Sequence, residues 1–182
     1  MQNIKILSKW LDENCDENHY LFSLQNFWVL FPGLKTEAFK TLLSRSVTSG
    51  LLARVCKGIY MYAKRQPHDG NLLCNVVNIL RPDHLNYLSL ESRLSELGII
   101  SQIPISRVTF FSTGRSGLID CGVYGVIEFI HTRRTALELG DQLEYDSIRK
   151  IWVANVKRAI NDSKQSQRSL DLIDWSAVDD VI

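Results

Sequence analysis

Residues 35–65 read KTEAFKTLLSRSVTSGLLARVCKGIYMYAKR, and the pattern in this stretch decides the fold. Phe39, Leu42, Leu43 and Val47 recur at i, i+3, i+4 and i+8, the spacing of one helical face. Lys40, Thr41, Ser44, Arg45 and Thr48 fall on the opposite face. Gly50 stands where a helix ends in a left-handed residue. LLARV and IYMYA then flank Cys56-Lys57-Gly58, and Gly58 can supply the positive φ of a tight hairpin. A polar, basic helix followed by a basic hairpin is the layout of a winged helix-turn-helix. In that layout the helix enters the major groove and the hairpin lies against phosphates.

The preceding residues fit the same unit. Ile4, Leu7 and Leu11, with Trp10 alongside, mark a first helix that stops near Asn14. Ser23 is a suitable N-cap for a short helix over LQNFWVL, and Phe31-Pro32-Gly33 ends it. Thr36 is placed to cap the third helix, and Glu37 suits its dipole. The expected order is helix, helix, turn, helix, strand, strand. Its expected core is Leu7, Trp10, Leu11, Phe27, Phe39, Leu43 and Val47, with Leu52 and Ile59 from the hairpin.

Charge divides the chain the same way. Residues 1–65 carry nine Lys and Arg against five Asp and Glu, whereas residues 66–182 carry twelve against fifteen. Between residues 19 and 65, seven bases face Glu37 alone. A polyanion-binding module needs such an excess, although a solvated basic face also carries one. Gln66-Pro67-His68-Asp69-Gly70 is polar, breaks both periods and sets the expected boundary, giving domains at 1–65 and 71–182. No apolar run reaches the ~20 residues of a membrane helix, and early acids argue against a signal peptide. The four separated cysteines read as reduced thiols, so the expected location is cytoplasmic.

Beyond the boundary, NLLCNVVNIL reads as an apolar helix ended by Arg81-Pro82, and Tyr87-Leu88 as an extended lead-in. Ser89 is placed to cap a helix over LESRLSELG. From Ile103 the period becomes two, and RVTFF, GLIDC and GVIEFI read as strands of an antiparallel sheet over 103–131. Asp141–Ser147 is expected as a polar connection and 162–169 as a loop. Trp152, Val156, Ala159 and Ile160 mark the inner face of a helix whose outer face carries Lys157 and Arg158. LDLIDWSAVDDVI closes the chain as an acidic amphipathic segment. The fold class is therefore α+β: an N-terminal winged helix-turn-helix and a C-terminal mixed domain with an antiparallel sheet.

Few residues suggest chemistry. Thr113-Gly114-Arg115-Ser116-Gly117 is either a hairpin turn with an exposed Arg or a turn that cradles a phosphate. It lacks the Lys and the following helix of a P-loop. His131-Thr132-Arg133-Arg134 adds cations at a strand end. His19, His68, His84 and His131 have no metal-ligand spacing, and no GxSxG or paired acid/base is present. We expect no catalytic constellation, metal or cofactor.

The segments SGLLARVCKGIY, NYLSLESRLSELGIISQIP, VTFFSTGRSG, YGVIEFIHT and WVANVKRAIND, in this order, resemble those of AbiEi-family antitoxins of bacterial toxin–antitoxin systems. The resemblance covers residues 20–160, and the STGRSG and IEFIHT pair is its most specific part. It implies a winged helix that represses its own operon by binding operator DNA. It also implies a C-terminal domain that neutralises a nucleotidyltransferase-type toxin, with or without a stable complex. The candidate DNA contacts are Lys35, Thr36, Lys40, Thr41, Ser44 and Arg45, then Arg54, Lys57, Lys64 and Arg65 on and after the hairpin. The family's C-terminal motif carries over to Ser89, Glu91, Arg115, Ser116 and His131 as positions. Two rivals stand beside this reading. One is a plain regulator whose second half binds a ligand or dimerises. The other is a nucleotide-acting enzyme using the TGRSG turn.

Overall fold

The computed structural model describes residues 2–67, 70–102 and 106–181. His68 and Asp69 of the expected boundary lie outside these residues, as do Ile103, Pro104 and the final Ile182. The chain forms two compact units that divide between Leu72 and Leu73. No helix among the described residues is long and apolar enough to cross a membrane.

The first unit contains α1 (Gln2–Asn14), β1 (Leu21–Ser23), α2 (Leu24–Leu30), α3 (Thr36–Thr48), β2 (Leu52–Cys56) and β3 (Ile59–Tyr62). Helical periodicity locates all three helices. It does not locate β1, which is three residues long and runs directly into α2. β1 pairs antiparallel with β3, so the hairpin belongs to a three-stranded sheet ordered β1-β3-β2. Ser23 ends β1 and caps α2: its hydroxyl accepts the Asn26 N–H while the Asn26 side chain bonds back to the Ser23 backbone. Thr36 does not cap α3. Lys35 holds the N-cap position and offers no side-chain acceptor, so Thr36 becomes the first helical residue.

Leu7, Leu11, Phe27, Phe39, Leu42 and Leu43 bury together, joined by Phe22 and Tyr62 from the sheet. Aromatic edges fix their arrangement: ring centroids lie 5.2 Å apart for Phe22 and Phe27, and 4.6 Å apart for Trp28 and Phe39. The hairpin turn is two residues, Lys57-Gly58, with Gly58 at φ +82° and a bulge between Arg54 and Cys56.

The second unit contains α4 (Leu72–Leu80), β4 (Asn86–Leu88), α5 (Leu90–Glu96), β5 (Arg107–Ser112), β6 (Gly117–Asp120) and β7 (Val126–His131). It continues with α6 (Ala136–Leu139), β8 (Leu143–Asp146), β9 (Ile151–Ala154), α7 (Val156–Gln165) and α8 (Trp175–Val181). Its six strands run β6-β7-β5-β4-β9-β8. The sheet is mixed, not antiparallel as expected, because β5 pairs parallel with β7 and β4 parallel with β9. It also extends well past residue 131. Asp141–Ser147 contains β8, and Trp152 lies on β9, not on a helix. α7 reaches Gln165, so half of the expected 162–169 loop is helical.

Consecutive residues of β5 point to opposite faces. Phe111 stacks on Tyr87 in a core with Leu90, Leu94, Ala159 and Ile160 from α5 and α7. Phe110 packs near Phe129 on the other face, where Arg81 also lies.

None of the four cysteines is in a disulfide, and all four are buried. Burial pushes the Cys15 and Cys74 thiols up to about 11, so both stay protonated at neutral pH. Iodoacetamide at pH 7.5 is therefore expected to label Cys15 and Cys74 slowly in the native chain and rapidly in urea, as read by peptide mass spectrometry. Rapid native labelling of Cys74 would show that the α4 environment is open.

Candidate functional site

In the first unit, helix periodicity and burial agree about α3. Phe39, Leu42 and Leu43 face inward, while Lys40, Thr41, Ser44, Arg45 and Thr48 are exposed. Lys35 and Thr36 stand exposed at its start. The candidate cations differ in how they are held. Lys40 Nζ lies 2.8 Å from Glu37 Oε1 on the same exposed helix. Lys64 Nζ lies 3.0 Å from Asp12 Oδ1, and the Tyr62 hydroxyl donates to the same carboxylate. These bonds hold the Asp12 carboxyl below its usual range, the Tyr62 bond first. Lys64 is thus drawn toward α1. Arg54 Nε donates to the Cys56 carbonyl at 3.4 Å. Among the described residues, Lys35, Arg45, Lys57 and Arg65 form no ion pair and are exposed.

The hairpin tip is not loose. The Leu24 N–H donates to the Gly58 carbonyl at 2.8 Å, and β1 pairs along β3. Lys57 therefore projects from a turn tied to the start of α2.

In the second unit, the TGRSG stretch is not a hairpin turn. β6 pairs with β7, and β7 lies between β6 and β5, so residues 113–116 cross over the end of β7. Side chains fix the crossing. Ser112 Oγ accepts the Gly114 N–H and donates to Asn86 Oδ1, at 3.1 and 2.7 Å. Ser116 Oγ accepts the His131 N–H at 2.8 Å. His131 Nδ1 lies 2.9 Å from the Gly114 carbonyl, which can only accept, so Nδ1 carries the proton. Thr113 Oγ1 accepts the Leu85 N–H at 3.2 Å and sits 3.2 Å from His84 Nδ1. Arg81 closes the arrangement. Its guanidinium lies 3.7 Å above the Phe129 ring and donates to the Arg115 carbonyl at 2.6 Å. A Cβ on Gly114 would come within 2.8 Å of Arg81 Nη1, so any larger residue would push the guanidinium from this position. That Nη1 is buried without an acceptor among the described residues, and burial pulls the guanidinium below its ordinary range.

Ser89 and Glu91 belong elsewhere. Ser89 occupies the N-cap of α5 but does not cap it. Leu90 takes φ +55°, a left-handed conformation costing about 1–2 kcal/mol, and the Ser89 hydroxyl turns inward to donate to Asp162 Oδ2 at 2.7 Å. Asp162 accepts a two-nitrogen grip from Arg158, and both side chains are buried. Arg158 was expected on the outer face of its helix. It turns inward because Asp162, one turn on, supplies the counter-charge that its burial requires. Glu91 lies 3.7 Å from Arg168, which also reaches Glu128 at 2.8 Å. Arg133, Arg134, Arg158 and Arg168 line a cleft of about 640 Å³ with Asp162 and His131.

The structure therefore brings Arg115, Ser116 and His131 together, sets Ser89 against the Asp162–Arg158 pair, and sets Glu91 beside Arg168 and Glu128. Sequence reasoning missed Arg81 and His84 at the first group and Asp162 at the second. For Arg81 a signal existed: it immediately precedes Pro82 and begins the turn into β4. No family model matches the chain, and no curated protein matches it either.

Removing one partner of a buried pair leaves the other uncompensated. Asp162→Ala is expected to lower unfolding free energy by about 3–5 kcal/mol in urea titrations. Ser89→Ala, which deletes one hydroxyl, is expected to cost about 1.5–3 kcal/mol. Equal, near-zero losses would show that the network does not hold α7 to the sheet.

Proposed function

We propose that the first unit is a winged helix-turn-helix that binds operator DNA, and that the chain is an antitoxin which represses its own operon. One observation carries this reading: the exposed face of α3 presents Arg45, Ser44 and Thr41, and the hairpin beside it presents Lys57 from a tethered tip. A rigid helix and a rigid turn, both cationic, can engage a groove and its flanking phosphates in one placement. β1 supports the reading, because it holds the hairpin in the same sheet as the start of α2. Neutralisation of a nucleotidyltransferase-type toxin is assigned to the second unit through the AbiEi-like motif positions alone. Co-expression with the product of the neighbouring gene tests it. Glu91→Ala and Arg115→Ala chains that stay folded are expected to lose rescue and keep operator binding. Full rescue by a chain cut after residue 72 would remove the assignment.

The two DNA contacts are expected to fail differently. An Arg in the major groove can grip guanine O6 and N7 together. A Lys at a turn suits phosphate. Arg45→Ala is therefore expected to lose about 1–3 kcal/mol on operator and to narrow the gap to scrambled DNA. Lys57→Ala is expected to weaken both duplexes alike and to lower the salt slope by about one unit. Fluorescence anisotropy at several salt concentrations measures both. Equal weakening of both duplexes by Arg45→Ala would show that α3 reads no base through it.

A further inference from the structure

The loop junction at the carboxyl ends of β5 and β7 forms a second charged feature, separate from the face assigned to DNA. These strands are parallel neighbours, so the chain leaves both at the same edge of the sheet. Residues 113–116 leave one and residues 132–135 the other. β4 runs antiparallel to β5, which brings Arg81 and His84, just before β4, to that edge too. Crevices outside the carboxyl ends of parallel strands are where open sheets hold ligands. Here an open crevice of about 710 Å³ is lined by Arg81, His84, Thr113, Arg115, Ser116 and His131 with Leu80 and Gly114. This volume falls within the range of small-molecule sites.

The composition of that wall selects the ligand. Two arginines, two histidines and two hydroxyls face the crevice, and no carboxylate lines it among the described residues. Elsewhere in this unit several arginines are matched, Arg158 by Asp162, Arg149 by Asp146 and Glu96, and Arg168 by Glu128, whereas Arg133, Arg134 and the lysines form no ion pair among the described residues. Arg81 and Arg115 have no such partner among the described residues, and Arg81 Nη1 is buried with no acceptor among them. Arg81 as a whole is only half-buried, but its Nη1 donor is out of water and unmet, and an anion in the crevice would supply the missing acceptor and the counter-charge. The histidines are pre-set as well. His131 Nδ1 is committed to the Gly114 carbonyl, which fixes the ring and leaves Nε2 for another partner.

We propose that this crevice is a phosphate-binding site for a small phosphorylated ligand, with Arg81 and Arg115 as its cations and His84 and His131 beside them as hydrogen-bonding groups. The site does not depend on the DNA-binding reading of the first unit. Its cations and hydroxyls are gathered at the end of the strands over a short span, which suits a terminal phosphate group better than a continuous nucleic-acid backbone.

The test uses the full-length chain in calorimetric titrations with inorganic phosphate, adenosine 5′-monophosphate and a short duplex. Phosphate and the nucleotide are each expected to bind with one-to-one stoichiometry. Tighter binding of the nucleotide identifies the ligand as a phosphorylated metabolite. Equal binding identifies the phosphate group alone as what is held. Arg115→Ala is expected to weaken both about 10- to 100-fold, the effect of losing a charged hydrogen bond. Its side chain makes no ion pair among the described residues, so folding is not at stake. Gly114→Ala, which pushes a Cβ against Arg81, is expected to weaken binding similarly. Lys157→Ala removes an exposed cation on α7 and is expected to change nothing. The proposal is overturned if neither small anion binds at millimolar concentration. It is overturned equally if Arg115→Ala leaves affinity unchanged, or if only the duplex binds through Arg115.

Discussion

Arg158 and Asp162 hold each other out of water at the centre of the second unit, and much of its architecture follows from that pair. Two ions buried together are tolerable only when their remaining hydrogen-bonding capacity is met. Asp162 meets it with Ser89, and Arg158 extends to Gln142 and Gln165. The Ser89 bond reaches the junction between β4 and α5, and the Gln142 bond reaches the turn before β8. One buried pair thus ties α7 to both ends of the β4-β9-β8 half of the sheet. The left-handed Leu90 is the local cost of turning Ser89 toward the pair.

The first unit rests on a different principle. Its core is aromatic and aliphatic, with no ion pair at its centre among the described residues, and the buried Ser46 of α3 turns its hydroxyl back to the Leu42 carbonyl. Ser23 closes β1 and opens α2 in one residue, so a single side chain sets the angle between sheet and helix. That junction places the hairpin tip, because the Leu24 N–H bonds to the Gly58 carbonyl.

The helices of the first unit are legible because each buries one stripe at a fixed spacing, as Phe39, Leu42 and Leu43 do. β1 is not legible: three residues of period two cannot stand out beside the helix that follows. In the second unit, RVTFF and GVIEFI show as strands, but their pairing does not. Chain order suggests neighbours, whereas β6 inserts itself on the far side of β7, and nothing local encodes that choice. Arg158 misleads for a related reason. Its place outside the apolar stripe predicts solvent exposure unless its partner at i+4 is weighed as a buried counter-ion. The TGRSG motif is visible as unusual composition, yet Arg81 and His84 reach it only through the antiparallel pairing of β4 with β5. Proximity of that kind is a property of topology.

The six-stranded sheet is open at both sides, and an open strand exposes a row of unpaired backbone donors and acceptors that another chain can extend. The outer strands here are poor templates. β6 is four residues long, begins at Gly117 and ends at Asp120. β8 is also four residues long and carries Glu144 and Asp146, both held by arginines. A second strand arriving at either side would have to accommodate a carboxylate beside the new ladder. Resistance to edge-to-edge aggregation is therefore written into the same acidic residues that give this half of the chain its negative balance.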